Sequence, residues 1–299
     1  MKEFFTDKVI NTFKPEMEEA YRIESGERII VHTRDCYSGA LTKPTDSYEN
    51  MDRSGFNTAT GPFYVEGAMP GDVLKVQIID LEVANQGVAV VVPNEGTVGY
   101  RVEKKKFNLI PVRNGMVEYG DFTFPADPMI GIIGVATKDE VIPTNIPGDH
   151  GANMDTKDIK KGSTVYLPVF QKGGMLALGD VHGKMGDGES SCSGLEIPGK
   201  ATLQIDVIKN GDLKMPLVET ENEFMVIATA STIEDANAKG TEEMVRLFQK
   251  ISHMPWEDLY MMMGMVMDLR ISQVVNPMMT IRTVVPRNLL NGRMLFGNR

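Results

Sequence analysis

Asn57-Thr-Ala-Thr-Gly-Pro-Phe-Tyr-Val-Glu-Gly-Ala-Met-Pro-Gly-Asp-Val-Leu-Lys-Val76 decides the class of fold. It reads as an apolar segment, a turn and a second apolar segment. Pro70-Gly71-Asp72 has turn composition, and behind it Leu74, Val76 and Ile78 alternate with polar residues. That is the period of a strand with one face buried. Glu66, between Val65 and Gly67, would need a partner if buried in so apolar a setting. The rhythm continues on both sides. Val9 to Phe13, Arg28 to His32, Val88 to Val92, Lys106 to Pro111, Met116 to Phe124, Ile130 to Ala136 and Ala201 to Lys209 are short strand-like pieces split by Gly, Pro, Asn and Asp. Such spacing predicts a mainly β fold, sandwich-like or barrel-like, and argues against alternating βαβ units.

The pattern changes after about residue 215. Following a strand from Glu223 to Ala230, Ile233 to Ile251 has helical spacing, with Ala236, Met244, Leu247, Phe248 and Ile251 inward. Pro255-Trp-Glu-Asp opens a second helix, expected to run to about Val275. Met261, Met262, Met263, Met265 and Met267 make it apolar nearly all round, so burial between domains or subunits is expected. The organisation predicted is a mainly β region over 1–215 that carries the candidate site, with a smaller α+β region over 216–299 packed on it. A homodimer or larger homo-oligomer is expected.

Composition narrows the functions. Hydrophobic content of 42% and charged content of 24% are those of a globular protein. A net charge of −10 argues against nucleic acid or an anionic membrane as partner. No apolar run approaches the roughly 20 residues of a membrane span, and the N-terminus shows no signal-peptide core. Cys36 and Cys192 make no disulfide framework, so a cytoplasmic protein with reduced thiols is expected.

The chemistry concentrates in Gly179-Asp-Val-His-Gly-Lys-Met-Gly-Asp-Gly-Glu189. If Leu176 to His182 is extended, Asp180 and His182 point the same way, on the track of Leu176 and Leu178. Carboxylate and neutral imidazole on one strand face can share a metal ion. A polar turn between strands would use much the same residues. The Pro/Gly loop 143–155 adds His150, Asn153 and Asp155, and the end of the strand near Val31 adds His32 and Asp35. On its residues alone, His32 reads better as a surface histidine and His253 as structural.

Four stretches, in this order, resemble the acetamidase/formamidase family. They are Thr33-Arg-Asp-Cys36, Asn57 to Ala68 with Pro70-Gly-Asp72, Pro147-Gly-Asp-His-Gly-Ala-Asn-Met-Asp155, and Gly179 to Glu189. The C-terminal helices and Pro286-Arg287 also match the family's usual ending. Asp149, Gly183 and Met185 stand where the family commonly has Pro, Ala and Gln. The resemblance implies a mostly β fold, a divalent metal with zinc as first choice, and hydrolysis of small aliphatic amides to a carboxylate and ammonia. It implies Asp35, His150, Asp180 and His182 as metal ligands and Glu189 as the proton carrier. Glu66, Asn153, Asp187 and Glu196 are expected to support those groups or touch substrate. A cysteine nucleophile would be Cys36 or Cys192, and Cys192 has no basic neighbour in sequence to lower its pKa. Two alternatives stand beside this reading: a calcium-stabilised all-β binding module without turnover, and a related hydrolase of cyclic amides.

Overall fold

A computed structural model describes residues 1–51, 55–293 and 295–296. The chain is mainly β, with two helices near its C-terminus. The larger sheet has nine strands, in the order Lys2–Phe4, Glu27–Thr33, Gly199–Ile208, Val73–Val83, Thr164–Pro168, Leu217–Glu219, Glu223–Ala230, Met279–Pro286 and Asp268–Gln273. A six-stranded sheet carries Gly151–Asn153, Met129–Gly134, Leu176–His182, Ala59–Val65 and Val9–Ile10, with Tyr21–Ile23 also on Ala59–Val65. A four-stranded sheet runs Phe122–Pro125, Met116–Tyr119, Lys106–Arg113, Gln86–Val91.

The two larger sheets share one core. Ile29, Val31, Val76 and Leu203 of the first pack with Phe63, Ile130, Leu178 and Val181 of the second. Alternation explains the first set: Ile29, Val31 and Thr33 are buried. On the opposite face of that strand, His32 stacks on Phe5 and meets Glu3 at 2.7 Å. Met116 to Phe124 is not one strand but a hairpin, because Gly120 with φ 57° turns the chain between Met116–Tyr119 and Phe122–Pro125.

A second core lies under the C-terminal helices. Helix α1, Ile233–Ile251, starts at Thr232, whose hydroxyl accepts from the Asp235 N–H. Its Ala236, Met244, Leu247 and Phe248 pack on Phe224, Val226, Ala228 and Val285 of the sheet. Helix α2, Trp256–Val266, is shorter than expected. The chain leaves it at Met267, and Asp268–Gln273 pairs with Met279–Pro286 as an edge strand. Leu269, Ile271 and Gln273 fit the pleat once a partner strand is in reach, and pairing there overrides helical propensity. The methionine face is also only half covered. Leu259 and Met263 are buried within this chain, whereas Trp256, Tyr260, Met261 and Met265 are exposed. The sheet itself crosses residue 215, since Leu217–Glu219 pairs with Thr164–Pro168. No helix among the described residues is long and apolar enough to cross a membrane.

Candidate active site

The strand Leu176–His182 carries the centre of the site, by a device that alternation does not predict. Leu176, Leu178 and Val181 all enter the same core. Two of these are even-numbered and one is odd, so the faces exchange between Leu178 and Val181. Asp180 sits there with φ 53°, in the left-handed region. Asp180 and His182 therefore do point together, but away from the Leu176/Leu178 track, which corrects that part of the expectation. Gly131 on the neighbouring strand makes room for them. A Cβ there would fall 2.6 Å from Asp155 Oδ1 and 2.7 Å from the Asp180 carbonyl oxygen.

His182 is fully enclosed. Its Nε2 lies 3.2 Å from Glu196 Oε2, 3.6 Å from Asp180 Oδ1 and 4.0 Å from Asp155 Oδ1. Two groups offer ligand atoms within 4.8 Å of one another: Asp155, His182 and Glu189, and Cys36, Asp180 and Glu196. All are buried. Asp155 Oδ1, Asp180 Oδ1, His182 Nδ1 and Glu196 Oε2 have no hydrogen-bond partner. They border a cavity of about 610 Å³, and none of the described residues lining it is lysine or arginine. A larger cavity of about 800 Å³, by Tyr166 and Arg287, holds none of these side chains.

The electrostatics follow from burial and crowding. Burial, with the Asp180 charge, pushes the Asp155 carboxyl up to about 6. Burial, then Asp155 beside it, pushes Glu189 well above the carboxylate range. Burial and Asp180 raise Glu196 to about 7. Burial would lower His182, but Glu196 and Asp180 outweigh it and hold the imidazole well above its ordinary value. Backbone strain coincides with this crowding, since Asp155 (φ 40°), Asp180 and Glu189 (φ 47°) are all left-handed.

The other expected residues fall in different places. Asn153 lines the cavity, with a buried and unpartnered Oδ1. Asp35 lies outside both groups. Its Oδ1 accepts from the N–H groups of Tyr37 and Gly39, while burial and the Asp180 charge raise its pKa. His150 is also outside them. Its ring meets Phe13 edge-on, its Nε2 is unpartnered, and burial lowers its pKa to about 4. Glu66 does not reach the site at all: it pairs with Arg22 at the surface. Asp187 turns away from the cavity, to Lys157 at 2.9 Å and Arg282 at 2.6 Å. Burial raises the thiol of Cys36 well above its ordinary value and that of Cys192 to about 11, which disfavours either thiolate.

Sequence reasoning missed three contributors. Asp155 stands in the loop 143–155, where its sequence context assigns it no role. Asn276 donates to Asp155 Oδ2 at 2.7 Å and to the Asn153 carbonyl at 3.2 Å. Its only signal was the turn pair Asn276-Pro277, which says nothing about a partner so far away in sequence. Arg282 gave no signal within its strand.

The fold and the buried acids can be set beside known proteins. A crystal structure of an acetamidase from Bacillus halodurans superposes with a TM-score of 0.94, at 37% identity over 97% of this chain and 98% of that one. A predicted acetamidase/formamidase from Thermoanaerobacter tengcongensis gives 0.94 at 38% identity, over 97% of each chain. Formamidase from Methylophilus methylotrophus is 23% identical over 75% of this chain and 72% of its own length. The chain spans 66% of the length of a further curated relative, from Schizosaccharomyces pombe. These likenesses place the protein among the amidases. The Acetamidase/Formamidase family model matches residues 2–144 and 134–291, and the chain belongs to that family.

Proposed function

We propose that this chain is a metal-dependent amidohydrolase, cleaving the C–N bond of small linear amides such as formamide and acetamide to a carboxylate and ammonia. One observation carries the metal: four buried acids, Asp155, Asp180, Glu189 and Glu196, surround one imidazole, and no described lysine or arginine lines the cavity. So many buried carboxylates around one cavity call for a cation. Asp155, Asp180, His182 and Glu196 each carry an unpartnered atom at the cavity and would hold it. Imidazole among the donors fits zinc, and the oxygen-rich remainder makes calcium the other fit. When bound, the ion would supply a Lewis acid that polarises the amide carbonyl and makes water more acidic.

The chain's own groups do the rest. Glu189 accepts a hydrogen bond on Oε1 from the Gly194 N–H at 3.0 Å, which leaves Oε2 to move a proton. Its raised pKa suits a group that takes a proton from the attacking water and gives it to the departing nitrogen. Asn153 Oδ1, buried and unpartnered at the cavity, would accept from the substrate NH₂. Asn276 orients Asp155. An adjoining cavity of about 690 Å³, which shares Glu189 and is walled by Met185, Ile110, Val117 and Phe124, favours larger or cyclic amides as the second reading.

Ammonia release from formamide and acetamide tests this, before and after dialysis against a strong chelator, with metal analysis alongside. Activity should vanish with the metal and return with zinc. Full turnover by a verified metal-free sample would sink the metal. Bound calcium with no ammonia from any amide would instead indicate a binding module.

A further inference from the structure

Arg282 is an arginine with no exposed surface, on the strand Met279–Pro286. Its guanidinium pairs with Asp158 through Nη1 and with Asp187 through Nη2 at 2.6 Å, and Nη2 also donates to the Ile271 carbonyl at 2.8 Å. These acids are not part of the buried cluster. Each sits a few residues along the chain from a member of it: Asp158 follows Asp155, and Asp187 precedes Glu189. The guanidinium therefore ties together the two loops that carry Asp155 and Glu189.

That tie holds a close approach of two acids. Asp155 and Glu189 offer their oxygens within 4.8 Å of each other in a buried site. Neighbouring backbone contacts pull the same way, with the Gly188 N–H donating to Ser272 O at 2.8 Å and the Val274 N–H to Gly188 O at 3.1 Å. A planar, always-charged fork suits a bridge between two carboxylates, which a lysine spans poorly.

We propose that Arg282 is a positioning residue, which sets the separation of Asp155 and Glu189 by gripping Asp158 and Asp187, so that the C-terminal strand Met279–Pro286 completes the site. This rests on the amidase reading above. The bland account of the same contacts is a buried ion-pair network that only stabilises the fold.

Three variants separate the two: Arg282→Lys, Arg282→Met, and Arg282→Met combined with Asp158→Asn and Asp187→Asn. The last removes the acids that Arg282→Met strands, so it should fold even if the single variant does not. Each is compared with wild type for kcat and KM on acetamide, zinc affinity and melting temperature. In the triple variant kcat should fall about 10²-fold, the scale of a misplaced catalytic group. KM should stay within a few-fold, and zinc affinity should drop 10- to 100-fold, as for loss of a group that orients ligands. Melting should recover towards wild type. Arg282→Lys should restore only part of kcat. A triple variant with wild-type kcat and zinc affinity would overturn the proposal. If the wild type hydrolysed no amide, the amidase reading would fall, and the zinc affinities would then decide on Arg282: unchanged values overturn it and weakened ones sustain it.

Discussion

Glu189 and Asp187 are separated only by Gly188, yet they face opposite ways. Glu189 turns into the buried cluster with a left-handed backbone, whereas Asp187 turns out to Lys157 and Arg282. Gly188, with φ 93°, lets the chain reverse between them. The longer side chain thus borders the cavity and the shorter one fastens the loop. Glu189→Gln keeps the size and removes the proton carrier. We expect kcat to fall by about 10²–10⁴, the usual contribution of general acid–base catalysis, with metal content near wild type. Asp187→Asn should cost stability or metal affinity. Near-normal turnover by Glu189→Gln, with a metal-loaded but inactive Asp187→Asn, would reverse the two roles.

Turns and strand ends decide what the elements can hold. The turn before Val73–Val83 is fixed by Asp72, which is almost fully buried. Its carboxylate accepts from the N–H groups of Met69 and Asn210, both at 2.9 Å, and from Lys209. Burial alone would raise its pKa, but these donors outweigh burial and hold it below the ordinary aspartate value. A depressed folded-state pKa gives stability that is present above the unfolded-state value and lost as pH falls through the folded one. Urea midpoints should therefore decline as pH drops from about 5 to about 2, and Asp72→Asn should flatten that decline while lowering the midpoint at neutral pH. An unchanged acid slope in the variant would remove Asp72 from the account. In the strand Leu176–His182 the local rule itself changed. The period of two predicted that Asp180 and His182 share a face, and a left-handed residue at Asp180 decided which face.

At the scale of the molecule, helix α2 sets its own chain's core on one side and an exposed Trp256, Tyr260, Met261 and Met265 on the other. Exposed apolar residues this close together are unusual on a monomer. The expected homo-oligomer would cover them. The native protein should then sediment well above the 33.0 kDa of one chain. Met261→Glu with Met265→Glu should reduce it to monomers without unfolding it, because these side chains contribute little to the chain's own core. Met263→Glu should instead destabilise the fold, since Met263 is fully buried in that core. A wild type that sediments as a single chain would contradict the oligomer.

What the sequence by itself determined is local. Alternation gave the strands, composition gave the turns, 3.6-residue spacing gave the first helix and Pro255 the start of the second. The resemblance in four ordered stretches supplied the family, and the clustering of acids around Asp180 and His182 pointed to the candidate site. What only the tertiary structure decided is which distant residues meet there. Asp155 joins His182, Glu196 stands 3.2 Å from that imidazole, Asn276 reaches back to Asp155, and Glu66 is left at the surface with Arg22. The end of α2 belongs with these, because Asp268–Gln273 becomes a strand only when Met279–Pro286 lies beside it. The physical reason is the same in each case. Periodicity and turn chemistry act between neighbours in the chain, whereas these contacts join segments up to 121 positions apart. They exist only after the sheets have closed on their cores and brought the loops together.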